Sequence, residues 1–180
     1  NYTNKQSVKN LTSTQGATVN LYAQWDPYDL KVYYNANGGS IDSTKYYLSS
    51  KNVYKESDST RYYQAWTYNS TKADGLVNAS TFGLYRTGYT FTKWGKYSWG
   101  GTLFDQDDSS LKPTDLKSGI TSGDTSLTLY AQWEPNTYTI RFNGNGSTSG
   151  STASMSMTYD VSKNLTANGF TKSGYAFAGW

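Results

Sequence analysis

Cysteine and histidine are both absent from this chain of 180 residues. Without cysteine there is no disulfide framework, no thiolate metal site and no cysteine nucleophile. Without histidine the usual catalytic triads, zinc sites and neutral-pH general bases are gone as well. Charge is sparse: 16 Lys and Arg face 13 Asp and Glu, a net +3, with the cations scattered from Lys5 to Lys172. No block of like charge forms a stripe for nucleic acid. No apolar run approaches the roughly 20 residues that span a bilayer. Most familiar enzyme chemistries are excluded, and no cofactor is expected.

Aromatic residues are plentiful instead: 18 Tyr, 6 Trp and 6 Phe supply most of the large apolar surface. Ser, Thr, Asn and Gly dominate the polar residues. This profile disfavours helix and favours strands joined by turn-rich connections. It is closer to secreted or surface-exposed proteins than to cytosolic enzymes. Beginning at Asn1 rather than Met, the sequence reads as a fragment or a processed product.

Internal repeats organise the chain. The pentapeptide Leu-Tyr-Ala-Gln-Trp runs from Leu21 to Trp25 and returns, 108 positions on, from Leu129 to Trp133. An acidic residue and a proline follow each copy, Asp26-Pro27 and Glu134-Pro135. Next comes a strand-like run ending in a glycine turn, in which Asn37-Gly38 matches Asn145-Gly146, again 108 apart. A third element, Arg86 to Trp94, matches Lys172 to Trp180 at an offset of only 86. The first copy therefore carries 22 additional residues, the difference between those two offsets. The frame that follows is the tail of one repeat at 1–25, a complete, enlarged repeat at 26–133 and the head of a third at 134–180. Proline suits the two junctions as linkers, because it cannot donate to a continuing strand.

Asn-Gly-Gly after the first strand, Gly-Tyr-x-Phe-x-x-Trp in the middle and the closing Leu-Tyr-Ala-Gln-Trp together resemble the Listeria–Bacteroides repeat family, which includes internalin B-repeats. The resemblance implies small β-grasp-like modules strung in tandem on bacterial surface or secreted proteins, without enzymatic activity. The fold expected is thus mostly β (α+β), with neighbouring repeats as partners and an extracellular or cell-surface location. The departure is a long insert at about 41–78.

Alternation gives each motif a physical account. Leu129, Ala131 and Trp133 share one strand face, opposite Tyr130 and Gln132. Tyr138, Ile140 and Phe142 likewise oppose Thr139 and Arg141. Asn37-Gly38-Gly39 and Gly144-Asn145-Gly146 supply positive-φ positions for tight hairpins. Leu129, Trp133, Tyr89 and Phe91 are expected core residues, each contributing roughly 1.5–3 kcal/mol when buried. The single helix a β-grasp needs has a weak candidate around Ser109–Ser118, interrupted by Pro113, and another near Leu76–Phe82.

Chemical alternatives are thin. The glycines after Phe142 lack the Gly-Lys-Ser/Thr and helix of a phosphate loop. Asp105, Asp107 and Asp108 are weak candidates for a calcium cluster without EF-hand spacing. Glu56 and Glu134, the sequence's two glutamates, lie in a polar turn and at a repeat junction, unsuited to a glycosidase pair. Nothing marks a buried Lys–Asn–acid trio for an isopeptide bond.

The insert carries the remaining candidates. Two strand-like runs, ending near Tyr54 and starting near Arg61, flank a polar turn and predict a β-hairpin. Alternation puts Tyr62, Gln64, Trp66 and Tyr68 on one face, a candidate surface for a glycan or a host protein. The competing reading packs that face on its own module. Two functions follow: a structural stalk module of an adhesin-like protein, or a binding module acting through the hairpin. Residues 134–180 lack the closing strand that 1–25 possess, which also admits head-to-tail self-association.

Overall fold

The computed structural model describes residues 1–42, 53–56, 61–68, 75–118 and 126–180. The expected strand before Lys51 and the middle of the hairpin turn fall outside them. The architecture is mostly β, and among the described residues the one helix is a single turn, α1 (Pro113–Leu116). Pro113 begins that turn, where its missing N–H costs nothing, and Asp115 accepts from Lys112 N at 2.8 Å. The helix expected within 109–118 is therefore present but short, while Leu76–Phe82 forms a bridge and turns.

A six-stranded sheet holds the main core. Its strands are β1 (Asp29–Asn35), β3 (Val53–Lys55), β4 (Tyr62–Thr67), β6 (Tyr89–Tyr97), β7 (Gly100–Phe104) and β8 (Ser126–Pro135). They lie in the order β3-β4-β1-β8-β6-β7. β1 and β8 are parallel neighbours in the middle, from Lys31 opposite Ser126 to Asn35 opposite Tyr130. All other pairs in this sheet are antiparallel. Short strands β2 (Ser40–Ile41) and β5 (Leu84–Tyr85) pair beside it.

Alternation along the central strands sends Leu30, Val32, Tyr34, Leu129 and Ala131 to one face, where they join Trp66, Trp94 and Phe104. The segment Leu76–Leu84, with Leu111 and Leu116, covers this face. Trp94 Nε1–H donates to Val77 O at 3.0 Å, so a core tryptophan also fixes the covering segment. Leu129 is buried as expected, whereas Phe91 and Trp133 pack partly buried against the cluster. Tyr89 is outside the core; its ring faces residues after β8.

The Asn-Gly-Gly turn does not close a hairpin on β1. Asn37 and Gly38 have φ of 47° and 84°, and the turn sends the chain to β2, which pairs with β5. Gly39 is required for a different reason: a Cβ there would lie 2.5 Å from the Trp133 ring and 2.7 Å from Tyr85 O. Trp133 Nε1–H in turn donates to Ala36 O at 2.8 Å, locking the last strand to the first turn.

After β8, three small pairings follow: β9 (Thr137–Ile140) with β11 (Met155–Thr158), β10 (Ser149–Gly150) with β12 (Phe170–Thr171), and a bridge between Lys172 and Tyr175. Glu134 and Pro135 are not a loose linker. They end β8, opposite Thr90 and Tyr89.

The second half repeats the register of the first. Trp66 faces Leu30 in β4–β1, and Met157 faces Tyr138 in β11–β9. Tyr138 lies 108 positions after Leu30, the offset of the sequence motifs. Met157 lies 91 after Trp66. Hydrogen bonds agree: Tyr68 N donates to Tyr28 O at 2.8 Å, and Tyr159 N to Asn136 O at 2.8 Å. β4 is therefore the counterpart of β11 rather than an addition to the repeat. The 22 extra residues divide into 17 before β4 and 5 after it, from the offsets 108, 91 and 86.

Candidate functional site

The face named from the sequence points inward. Tyr62, Gln64 and Trp66 are 7%, 0% and 2% exposed, and Tyr68 is half-buried. Tyr34 O–H donates to Gln64 Oε1, whose amide donates to Gly75 O at 3.4 Å. Val77 N–H donates to the Tyr34 oxygen at 3.3 Å. Burial holds the Tyr34 phenol far above its ordinary pKa, so it stays neutral. Tyr62, Gln64 and Trp66 thus form the inner face of a core strand. Strand periodicity correctly grouped these side chains, but it does not say which group meets the core.

The opposite face carries an aromatic ladder that the sequence argument passed over. Tyr54, Tyr63 and Tyr33 lie across β3, β4 and β1 with neighbouring ring centroids 5.5 Å apart. The Arg61 guanidinium lies 4.0 Å from the Tyr33 centroid, and the Lys31 ammonium 4.9 Å from that of Tyr63. Tyr33 O–H donates to Glu56 Oε1 at 2.9 Å. Its pKa is raised, first by desolvation and then by that carboxylate. Tyr54 is 46% exposed, leaving an open edge to the ladder. The signal available beforehand was Tyr54 and Tyr63 on the expected hairpin's other face. A second exposed pair, Tyr97 and Trp99, stacks at 5.0 Å and 7° at the β6–β7 turn.

The three aspartates go separate ways. Asp105 pairs with Lys93 at 3.1 Å, and Asp107 accepts from the Asn78 amide at 2.6 Å. Asp108 accepts from Ser110 N at 2.9 Å and Ser110 Oγ at 2.6 Å. Those two bonds hold the Asp108 carboxyl below its ordinary pKa, the hydroxyl contributing first. Among the described residues no three acidic side chains gather around one point.

A set of polar contacts outside the core joins β6 to the residues after β8. Asn136 N–H donates to Gly88 O at 2.8 Å, and Thr90 Oγ1–H donates to Asn136 Oδ1 at 2.6 Å. Tyr89 O–H donates to Asp160 Oδ2 at 2.9 Å, and its ring meets Tyr159 edge-on at 5.7 Å. That hydrogen bond is the leading reason the Tyr89 pKa is raised. The Arg86 guanidinium lies over the Tyr89 ring, 3.7 Å from its centroid. Gly88, at φ 77°, has no room for a side chain, because a Cβ would come within 2.3 Å of the Tyr159 ring. The tail repeats the same corner: Gly174 has φ 80°, Tyr175 N donates to Lys172 O, and Lys172 lies over the Tyr175 ring.

Residues 138–180 match the family model of the Listeria-Bacteroides repeat domain. Two proteins of Evansella cellulosilytica are similar to the chain. One, named as a putative Gly-rich membrane protein, is 32% identical over 100 residues, 54% of this chain and 11% of its own length. The other, named as a putative membrane protein, is 26% identical over 172 residues, 94% of this chain and 20% of its own length. The chain thus spans a fifth or less of the length of these relatives. No solved structure matches it. Among the described residues no helix is long and apolar enough to cross a membrane.

Proposed function

We propose that the chain is a stretch of tandem structural modules from the extracellular part of a bacterial surface protein, without a catalytic role. The observation that carries this reading is the repeated register of β1–β4 and β9–β11, down to the Tyr68–Tyr28 and Tyr159–Asn136 hydrogen bonds. It supports a complete module at 26–133 between the closing part of one repeat, 1–25, and the opening part of another, 134–180. The parallel pair of first and last long strands, with α1 preceding the last, supports a β-grasp-like module. Both relatives are named as membrane proteins, which supports an envelope location. Neighbouring repeats are the natural partners. Leu21, Tyr22 and Trp25 are exposed, as are Tyr175, Phe177 and Trp180, whereas their counterparts within 26–133 contact one another. Contact between those two sets in different copies would join chains head to tail.

A second reading, recognition of a glycan or host protein, is favoured by the Tyr54–Tyr63–Tyr33 ladder rather than by the inner face of β4. Flat rings beside cationic groups suit sugar stacking or a protein contact. The full chain applied to a glycan array and a panel of host surface proteins separates the two. The structural reading expects no binding. Binding that Tyr54→Ala and Tyr63→Ala abolish, with circular dichroism unchanged, would replace it.

A further inference from the structure

We propose that the corner Gly88–Thr90 and the residues Asn136, Tyr159 and Asp160 form a clasp that fixes the orientation of one module on the next. The inference rests on the tandem-repeat reading and deepens it by naming the repeat-to-repeat interface. Its partner is the head of the following repeat, presented by Asn136 at the strand junction and by Tyr159-Asp160 immediately after β11.

Three kinds of contact act together. The backbone is bound on both sides of the junction, since Asn136 N donates to Gly88 O while Asn136 O accepts from Tyr159 N. One residue thus ties the corner of the first module to the chain just after β11 in the next. The side chains add two bonds from the first module, Thr90 to Asn136 at 2.6 Å and Tyr89 to Asp160 at 2.9 Å. Shape closes the remainder, because the missing side chain of Gly88 leaves the space that the Tyr159 ring fills. Bonds to a carboxylate are among the stronger ones, and the Arg86 guanidinium lies over the Tyr89 ring. A flexible tether would need none of these contacts. With β8 ending at Pro135 and β9 starting at Thr137, a single residue separates the two strands.

The head of the 26–133 module shares the backbone part of this arrangement. Tyr28 and Tyr68 occupy the places of Asn136 and Tyr159, joined by the same backbone bond. Tyr28 is 47% exposed, free to meet the Gly-Tyr corner of a preceding repeat.

Residual dipolar couplings measured on the full chain test the clasp. In the unsubstituted protein, strands β1, β4, β6 and β8 should share one alignment tensor with β9 and β11. The double variant Tyr159→Ser, Asp160→Ala changes two positions outside the main core cluster, and the shared tensor should be lost while the amide shifts of 29–135 away from the corner hold. Two tensors in the unsubstituted chain, or one tensor retained in the variant, would overturn the clasp. Gly88→Ala, which forces a side chain against Tyr159, should produce the same loss from the other side of the interface. The tandem-repeat reading fails separately: cross-strand contacts between Met157 and Tyr138 would then be missing from the same sample. Their presence beside two tensors removes the clasp alone.

Discussion

Replacing Trp66 by Ala removes a side chain that is 2% exposed and opposes Leu30 on the inner face of the sheet. Two accounts of this residue predict opposite results. If Trp66 were a surface contact, the variant would keep its stability and lose a ligand. In the packing described above, it leaves a cavity beneath the Leu76–Leu84 segment. Truncating a buried Trp costs about 3–5 kcal/mol, a large part of the 5–15 kcal/mol or so that holds a typical domain together. For a domain of about 100 residues, where each kcal/mol is worth at least about 4 °C, that corresponds to a melting temperature lowered by about 12–20 °C or more. Tyr54→Ala on the open edge of the ladder serves as the contrast and should move the midpoint by less than about 0.5 kcal/mol. Far-UV circular dichroism during thermal and urea denaturation of the full chain reads both. A Trp66→Ala variant with full native signal and a midpoint within about 3 °C of the parent would refute the packing argument and return Trp66 to the surface.

Tyr34→Phe removes the hydroxyl that donates to Gln64 and accepts from Val77 N. It should cost about 1–3 kcal/mol in urea titrations, because the ring still fits and the loss is polar. Asp108 should titrate below an ordinary aspartate in carbon-detected NMR, and Ser110→Ala should move its pKa upward. Because the folded-state value is depressed, any stabilisation from this carboxylate is present above its unfolded pKa and disappears as pH falls through the folded value.

Much of the fold was legible because the repeats are marked by residues with strong local consequences. Asn37-Gly38 and Asn145-Gly146 adopt positive φ at both copies, and Leu129 and Ala131 face the core as alternation requires. What those turns connect was not legible: a glycine turn fits a hairpin equally well, and only tertiary pairing assigns β2 to β5. β4 falls within the expected insert, yet it pairs with β1 in the register in which β11 pairs with β9, and its core residues differ from those of β11. Gln64 and Trp66 stand where Met155 and Met157 stand in the next copy, facing Val32 and Leu30 as those face Ile140 and Tyr138. No local motif marks that equivalence; the register does. Alternation and aromatic character point Tyr89 to the core, yet its hydroxyl needs a polar partner and finds one 71 positions away in Asp160. The expected proline linker became a strand end because Pro135, the last residue of β8, requires no further donor.

The parallel pairing of β1 with β8 has a mechanical consequence. β1 is the first strand of the six-stranded sheet along the chain and β8 the last, so tension along the chain pulls these neighbouring strands in opposite directions. The hydrogen bonds between Lys31–Asn35 and Ser126–Tyr130 then share the load in shear, instead of opening one after another as an antiparallel terminal hairpin does when peeled. A tether built from such modules keeps its length under drag until a whole strand slips.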